Sequence, residues 1–214
     1  MTVCTFKIAV CLRLGVPPCR QHMCTRCKAL VSTSGTHGLR CKRCCGRIQR
    51  HSAINEEVRR ALSSAHIPAR REPIGLFHNQ LTPDGITLVT WRRGRCAAWD
   101  ATVVDTLAPS YIRDTSVCPG SAANLAEGRK IQKYANLPNE FEFFPLAFET
   151  LGSMGERTQD FIKDLCQRLR DATGDKKAGN YFLQRISLEL MRGNSASIMG
   201  SMLQDDGYDL VTLP

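Results

Sequence analysis

No apolar run in this chain approaches the roughly 20 residues that a membrane-spanning helix needs, and no internal repeat or low-complexity tract is found in it. The opening MTVCTFKIAVCLRLG has a lysine, only a short apolar stretch and no small-residue cleavage site, so it reads as mature chain rather than a secretory leader. Acidic residues are scarce at the front, where residues 1–72 hold only Glu56, Glu57 and Glu72. An even complement of cysteines is also missing, because there are 11. These absences set aside a membrane span, a repeat array and a disulfide-stapled secreted domain.

What is present is the composition of a globular protein, 43% hydrophobic and 23% charged over 214 residues. That is enough chain for one ordinary domain, or one plus a small appendage. The net charge of +9 is uneven: residues 1–72 hold 14 Lys/Arg against three Glu, while the rest holds 15 against 17. A basic front beside a near-neutral back points to a polyanion docking at the N-terminal part, the bland alternative being a well-solvated surface.

Residues 1–19 show no clear pattern and read as the end of a preceding unit. Residues 20–48 are Cys/Arg-rich and too polar to form a core without a metal. Within HSAINEEVRRALSSAH, residues 51–66, Ile54, Val58, Ala61, Leu62 and Ala65 recur at helical spacing, and Pro68 ends the helix. Three strand-like runs follow, around Glu72–Phe77, Ile86–Thr90 and Cys96–Val104, with Pro83-Asp84-Gly85 leading into the second and a turn at Arg92–Arg95 before the third. Gly120-Ser121 offers an N-cap for a helix over about 121–135. FEFFPLAFE, residues 141–149, reads as a buried strand that Pro145 places at an edge or bulge. Helices over about 156–173 and 178–203 complete an α/β arrangement: helix, three strands, helix, strand, then helices. The domain spans 49–205, and 206–214 form a tail.

Cys24-x2-Cys27-x9-His37-x3-Cys41 supplies three thiolates and an imidazole, a donor set that suits a closed tetrahedral zinc site. Cys19, His22, Cys44 and Cys45 are close enough in sequence to replace one member. Gly35 and Gly38 permit the sharp turns around such a site. Arg20, Arg26, Lys28, Arg40, Lys42, Arg43 and Arg47 surround the ligands as a phosphate-reading surface would require.

A hairpin would bring Asp84, at the start of one strand, across from Asp100 inside the next. Paired carboxylates call for a cation, with Mg²⁺ or Mn²⁺ the natural occupant. Thr102 shares the strand face of Asp100, while Asp105 has the opposite parity. In GRKIQKYA, Lys130 and Tyr134 stand at i, i+4 on one helix face with Lys133 adjacent. A lysine aimed at a metal site can orient water or offset transition-state charge, the alternative being a solvated helix face.

Taken in order, these motifs resemble the restriction-like endonuclease module at the C-terminus of some non-LTR retrotransposons, a branch of the PD-(D/E)xK nucleases. That family pairs a CCHC knuckle with an Arg-His-Asn motif, a Pro-Asp followed by an Asp, and a lysine moved from the strand to the next helix. Here the knuckle is Cys24, Cys27, His37 and Cys41, and Arg50-His51 is followed by Ser52 where Asn is usual. Pro83-Asp84 and Asp100 match the acidic pair with 15 residues between the aspartates, and Thr82 stands where Arg or Lys is common. Thr102 occupies the usual lysine position, and Lys130 with Tyr134 matches the displaced lysine and its tyrosine. The resemblance spans about residues 10–200.

It implies a PD-(D/E)xK core behind a zinc knuckle, and a nuclear enzyme that nicks double-stranded DNA to leave a 3′-hydroxyl primer. Asp84 and Asp100 would bind Mg²⁺ or Mn²⁺, Lys130 would assist the attacking water, and His51 would contact substrate or support the site. Arg40, Lys42, Arg43, Arg47 and Arg50 would hold nucleic acid, with element RNA a further candidate. A reverse transcriptase domain belongs to the full-length element, and these 214 residues do not include one. The competing readings are a zinc-dependent nucleic-acid-binding protein on an inactive nuclease fold, and a protein-interaction module using the Cys-rich arm.

Overall fold

The computed structural model describes residues 2–77 and 81–202, so the whole of the expected 206–214 tail lies outside the described residues. The chain folds as two compact units, one containing the residues up to Ser52 and those from Leu188 on, the other running from Ala53 to Ser187. No helix among the described residues is long and apolar enough to cross a membrane.

The first unit opens with helix α1 (Val3–Leu14), where no pattern was expected. The Thr2 hydroxyl caps its start by accepting from Thr5 N, and Gly15 ends it at φ 68 with its N–H on Cys11 O. Ile8 is fully buried with Leu39 and Ile198, flanked by Leu12, Met199 and Met202. The N-terminal residues are therefore part of this unit's own core. The two-residue strands β1 (His22–Met23) and β2 (Leu30–Val31) pair antiparallel, followed by the short helix α2 (His37–Arg40). Helix α3 (Gly46–Ser64) begins five residues before the expected start and carries the chain from the first unit into the second.

The second unit is built on a four-stranded mixed sheet, in the order β3 (Ala69–Arg71), β4 (Gly85–Arg92), β5 (Arg95–Val104), β6 (Phe141–Glu149). The first two pairings are antiparallel, and β5 with β6 is parallel. The expected strand at Glu72–Phe77 is replaced by β3, three residues earlier. Glu72 adopts φ 46, a left-handed conformation that ends the extended run, and Pro73 has no N–H to donate. At an irregularity in the β4–β5 ladder, Thr87 Oγ1 accepts from Ala97 N at 2.9 Å and donates to Val89 O at 2.8 Å. Pro145 does lie on an edge strand.

A parallel pair needs a crossover, supplied here by α4 (Ile112–Thr115) and α5 (Ser121–Lys133). Ala123 and Ala126 of α5 pack on Ala147 of β6, and such small residues let the helix lie close to the sheet. Ser121 does not cap α5. Gly120 is the cap, and the buried Glu149 carboxylate at the end of β6 accepts from Ala122 N and Ala123 N at 3.1 and 3.4 Å. Helix α6 (Glu156–Thr173) is capped likewise by a side chain of α5, because Glu127 accepts from Arg157 N, Thr158 N and Thr158 Oγ1. The opposite end of the core is aromatic: Trp91 stacks on Phe161 at 5.0 Å, with Phe144 tilted beside them. Helix α7 (Ala178–Met199) returns the chain to the first unit.

Candidate functional site

In the first unit, Cys24 sits at the end of β1. A tight turn follows, in which Lys28 N donates to Cys24 O and Lys28 takes φ 62, bringing Cys27 back beside Cys24. Gly35 (φ 65) turns the chain toward α2, which contributes His37. Gly38 is needed for a different reason than a turn. It lies within α2, and a Cβ there would stand 2.7 Å from Ile198 Cα. Cys41 closes the set at the helix end.

One donor atom from each of Cys24, Cys27, His37 and Cys41 lies within 4.8 Å of all the others, with Cys27 Sγ 3.2 Å from His37 Nε2. A tetrahedron with metal–sulfur bonds of ~2.3 Å has edges of about 3.8 Å, so these four could hold a zinc ion. Burial opposes ionisation of Cys24, but hydrogen bonds from the N–H groups of Cys27 and Arg26, together with the Cys27 and Cys41 thiols, hold it below its ordinary pKa. Burial, then the Arg40 and His22 charges, push His37 down toward the neutral imidazole that ligates metals. The alternative ligands are placed differently. Cys19 donates to Ser32 O and Thr33 O, His22 Nδ1 meets Arg20 O, and Cys45 is exposed. Cys44 is buried against Cys24 and Cys41, and burial, then Cys41, push its thiol up to about 12.

Of the expected nucleic-acid contacts, Arg40, Lys42 and Arg43 are exposed, and Arg47 donates to Arg40 O. Arg50 is 2% exposed, with Nη1 on Asn194 Oδ1 and its stem against Gly193, where a Cβ would collide with it. It is a packing residue of the first unit, and a guanidinium so enclosed does not reach a phosphate.

The second unit gathers a different set. Gly85, the first residue of β4, pairs with Trp99 of β5, so Asp84 and Asp100 are neighbours across the hairpin and bring carboxylate oxygens within 4.8 Å of each other. The Trp99 indole lies directly over Gly85, leaving no space for a Cβ. Trp99 Nε1 donates to Asn55 Oδ1 at 3.0 Å, and Asn55 Nδ2 donates in turn to Asp84 Oδ2 at 3.1 Å. Ala101 N donates to the same oxygen at 2.7 Å. Asp84 is thus aimed by a backbone amide and a side-chain amide.

Asp100, 4% exposed, is met from α5. Lys130 Nζ lies 2.5 Å from Oδ1, Tyr134 donates to Oδ2 at 2.6 Å, and Lys133 Nζ stands 3.6 Å from Oδ2. The Tyr134 hydroxyl is also 2.9 Å from Thr82 O, two residues before Asp84, and its ring stacks on Phe143. Burial, then the Asp100 carboxylate, push Tyr134 far above the usual phenol range, so it stands as a neutral donor. Thr102 is half-buried on the Asp100 side of β5, and Asp105 is engaged with Leu107 N and Thr150 Oγ1. His51 belongs to the first unit, one helical turn before Asn55 on α3.

Asn55 and Trp99 were not foreseen as members of this set. The available signal was an asparagine on the apolar stripe of α3, beside Ile54 and Val58, where an amide needs a buried partner. Compared with models of known protein families and with curated proteins, the chain matches none.

Proposed function

We propose that this chain is a metal-dependent endonuclease module with a PD-(D/E)xK core, akin to those of non-LTR retrotransposons, that nicks duplex DNA. Zinc would be held by Cys24, Cys27, His37 and Cys41 as a closed structural site. The observation that carries the reading is the meeting of a helix-borne lysine, Lys130, with the strand carboxylate Asp100 beside Asp84. A chain with Thr102 at the strand position can still bring an ammonium to the carboxylates in this way.

The donor set fits a hard divalent cation. Asp84 and Asp100 offer carboxylate oxygens within 4.8 Å of each other, and such oxygens are the ligands these ions prefer. Such an ion, when bound, supplies an acidified water and charge stabilisation at a phosphodiester. The chain's own residues do the rest. Asn55 and Ala101 N hold Asp84 in one orientation. The Tyr134 phenol holds Asp100 Oδ2, and Lys130 carries a positive charge for the phosphate. Arg40, Lys42 and Arg43 provide exposed cations for backbone phosphates, which position a duplex without reading its sequence.

The test is nicking of supercoiled plasmid with Mg²⁺ or Mn²⁺. Wild type should nick, Asp84→Ala and Asp100→Ala should not, and Lys130→Ala should lose on the order of 10²-fold or more. Thr102→Ala should stay close to wild type. If wild type binds duplex DNA but nicks it with neither ion, the chain is a zinc-dependent binding protein instead.

A further inference from the structure

Both oxygens of Asp100 are engaged by α5, Oδ1 by the Lys130 ammonium and Oδ2 by the Tyr134 phenol. With the Lys130 ammonium on Oδ1, a divalent ion brought to the same oxygen meets a like charge at close range, which opposes its binding there. Lys130 is the less exposed of the two nearby lysines, 24% against 48% for Lys133, and makes the closer contact, 2.5 Å against 3.6 Å.

We infer that the Lys130–Asp100 ion pair is a latch on the metal site: Lys130 must leave Asp100 Oδ1 before that oxygen can ligate a divalent cation. The inference rests on the proposed Asp84/Asp100 metal site and adds its regulation. Lys130 is occupied with Asp100 while the site is empty and is set free when the site fills. Its charge then becomes available to a phosphate only in the loaded site. Helix α5 can let the side chain swing without moving itself, since Glu149 and Glu127 fix the helix from buried positions.

The experiment measures Mn²⁺ binding directly, from the electron paramagnetic resonance signal of free Mn²⁺, on the full zinc-loaded chain. Lys130→Met and Lys130→Gln keep a stem to pack and remove the latch. Either should tighten Mn²⁺ binding about tenfold or more, the order expected for freeing one partner of a partly buried ion pair. Lys133→Met removes the same charge without touching Oδ1, and should tighten it threefold at most. Equal tightening by Lys130→Met and Lys133→Met, or none, would overturn the latch while leaving the metal site standing, provided that Asp84→Asn weakens binding. If Asp84→Asn and Asp100→Asn leave Mn²⁺ binding unchanged in both backgrounds, the latch and the metal-site reading fail together. Unchanged zinc content and melting temperature identify the variants that are folded.

Discussion

Asn55→Ala offers the sharpest separation between a residue that fills space and one that aims the site. The side chain is 1% exposed and links the Trp99 indole N–H to the Asp84 carboxylate. Truncation leaves the fully buried Trp99 donor without its acceptor, costing ~1–3 kcal/mol, and removes a charge-assisted bond worth a further ~1.5–3 kcal/mol. Non-additivity keeps the expected loss near 2–4 kcal/mol, or roughly 5–15 °C in melting temperature for a chain of this size. Asn55→Asp divides the two halves. It keeps an oxygen for Trp99 but removes the Nδ2 donor and sets a like charge against Asp84. Trp99 fluorescence should then remain close to wild type while plasmid nicking falls at least tenfold. Calorimetry of both variants, with zinc content as the control for the first unit, is the measurement. A melting temperature for Asn55→Ala within 1 °C of wild type would refute the claim that this amide holds the hairpin.

Purified protein should contain about one zinc, and Cys24→Ser or Cys41→Ser should lose it while Cys118→Ser and Cys166→Ser retain it, as metal analysis will show. Triple charge reversal at Arg40, Lys42 and Arg43 should weaken binding to all duplexes alike and flatten its salt dependence, whereas Arg50→Ala should lower the melting temperature instead; titrations at several salt concentrations distinguish the two. Glu56 is held down to about 2 by hydrogen bonding to Arg59 and by the Arg59 charge, so its contribution is complete above the ordinary 4.5 and is lost as pH falls through about 2. Glu56→Gln should flatten that part of the stability profile, by a small amount because the pairs are partly solvated.

Strand β6 and helix α6 match their expected ranges, 141–149 and 156–173. Each announces itself locally: a mostly apolar run, interrupted by Glu142, in one case, and a strongly one-sided helix with Gly155 and Gly174 at its ends in the other. Helix α1 was illegible because apolar residues ring it, with Ile8, Ala9 and Cys11 inside and Val3, Phe6 and Leu14 outside, so no period stands out. Strand β3 was hidden by its arginines. The i, i+4 spacing placed Lys130 and Tyr134 on one face, but spacing fits a solvated face equally well, and their nearness to Asp100 was an expectation of the resemblance alone. The burial of Arg50 could not be read at all, because its partner Asn194 is 144 residues away and the surrounding sequence is uniformly basic.

Helix α5 behaves as an indexed shaft. Glu149 fixes its near end along the axis, and Glu127 fixes its rotation by gripping the first turn of α6. The position of the lysine is therefore an angular address, set three residues beyond Glu127, and each residue inserted between them turns it by ~100°. One inserted alanine would swing Lys130 off the sheet and abolish its contact with Asp100. Four would return it to nearly the same bearing but carry it ~6 Å farther along the axis, past the carboxylate. A lysine placed at Thr102 obeys no such phase, since a strand presents alternate residues to one face whatever the helix does. A charge carried on a helix thus trades a fixed two-residue spacing for dependence on two buried glutamates, and an insertion between Glu127 and Lys130 would break that phase.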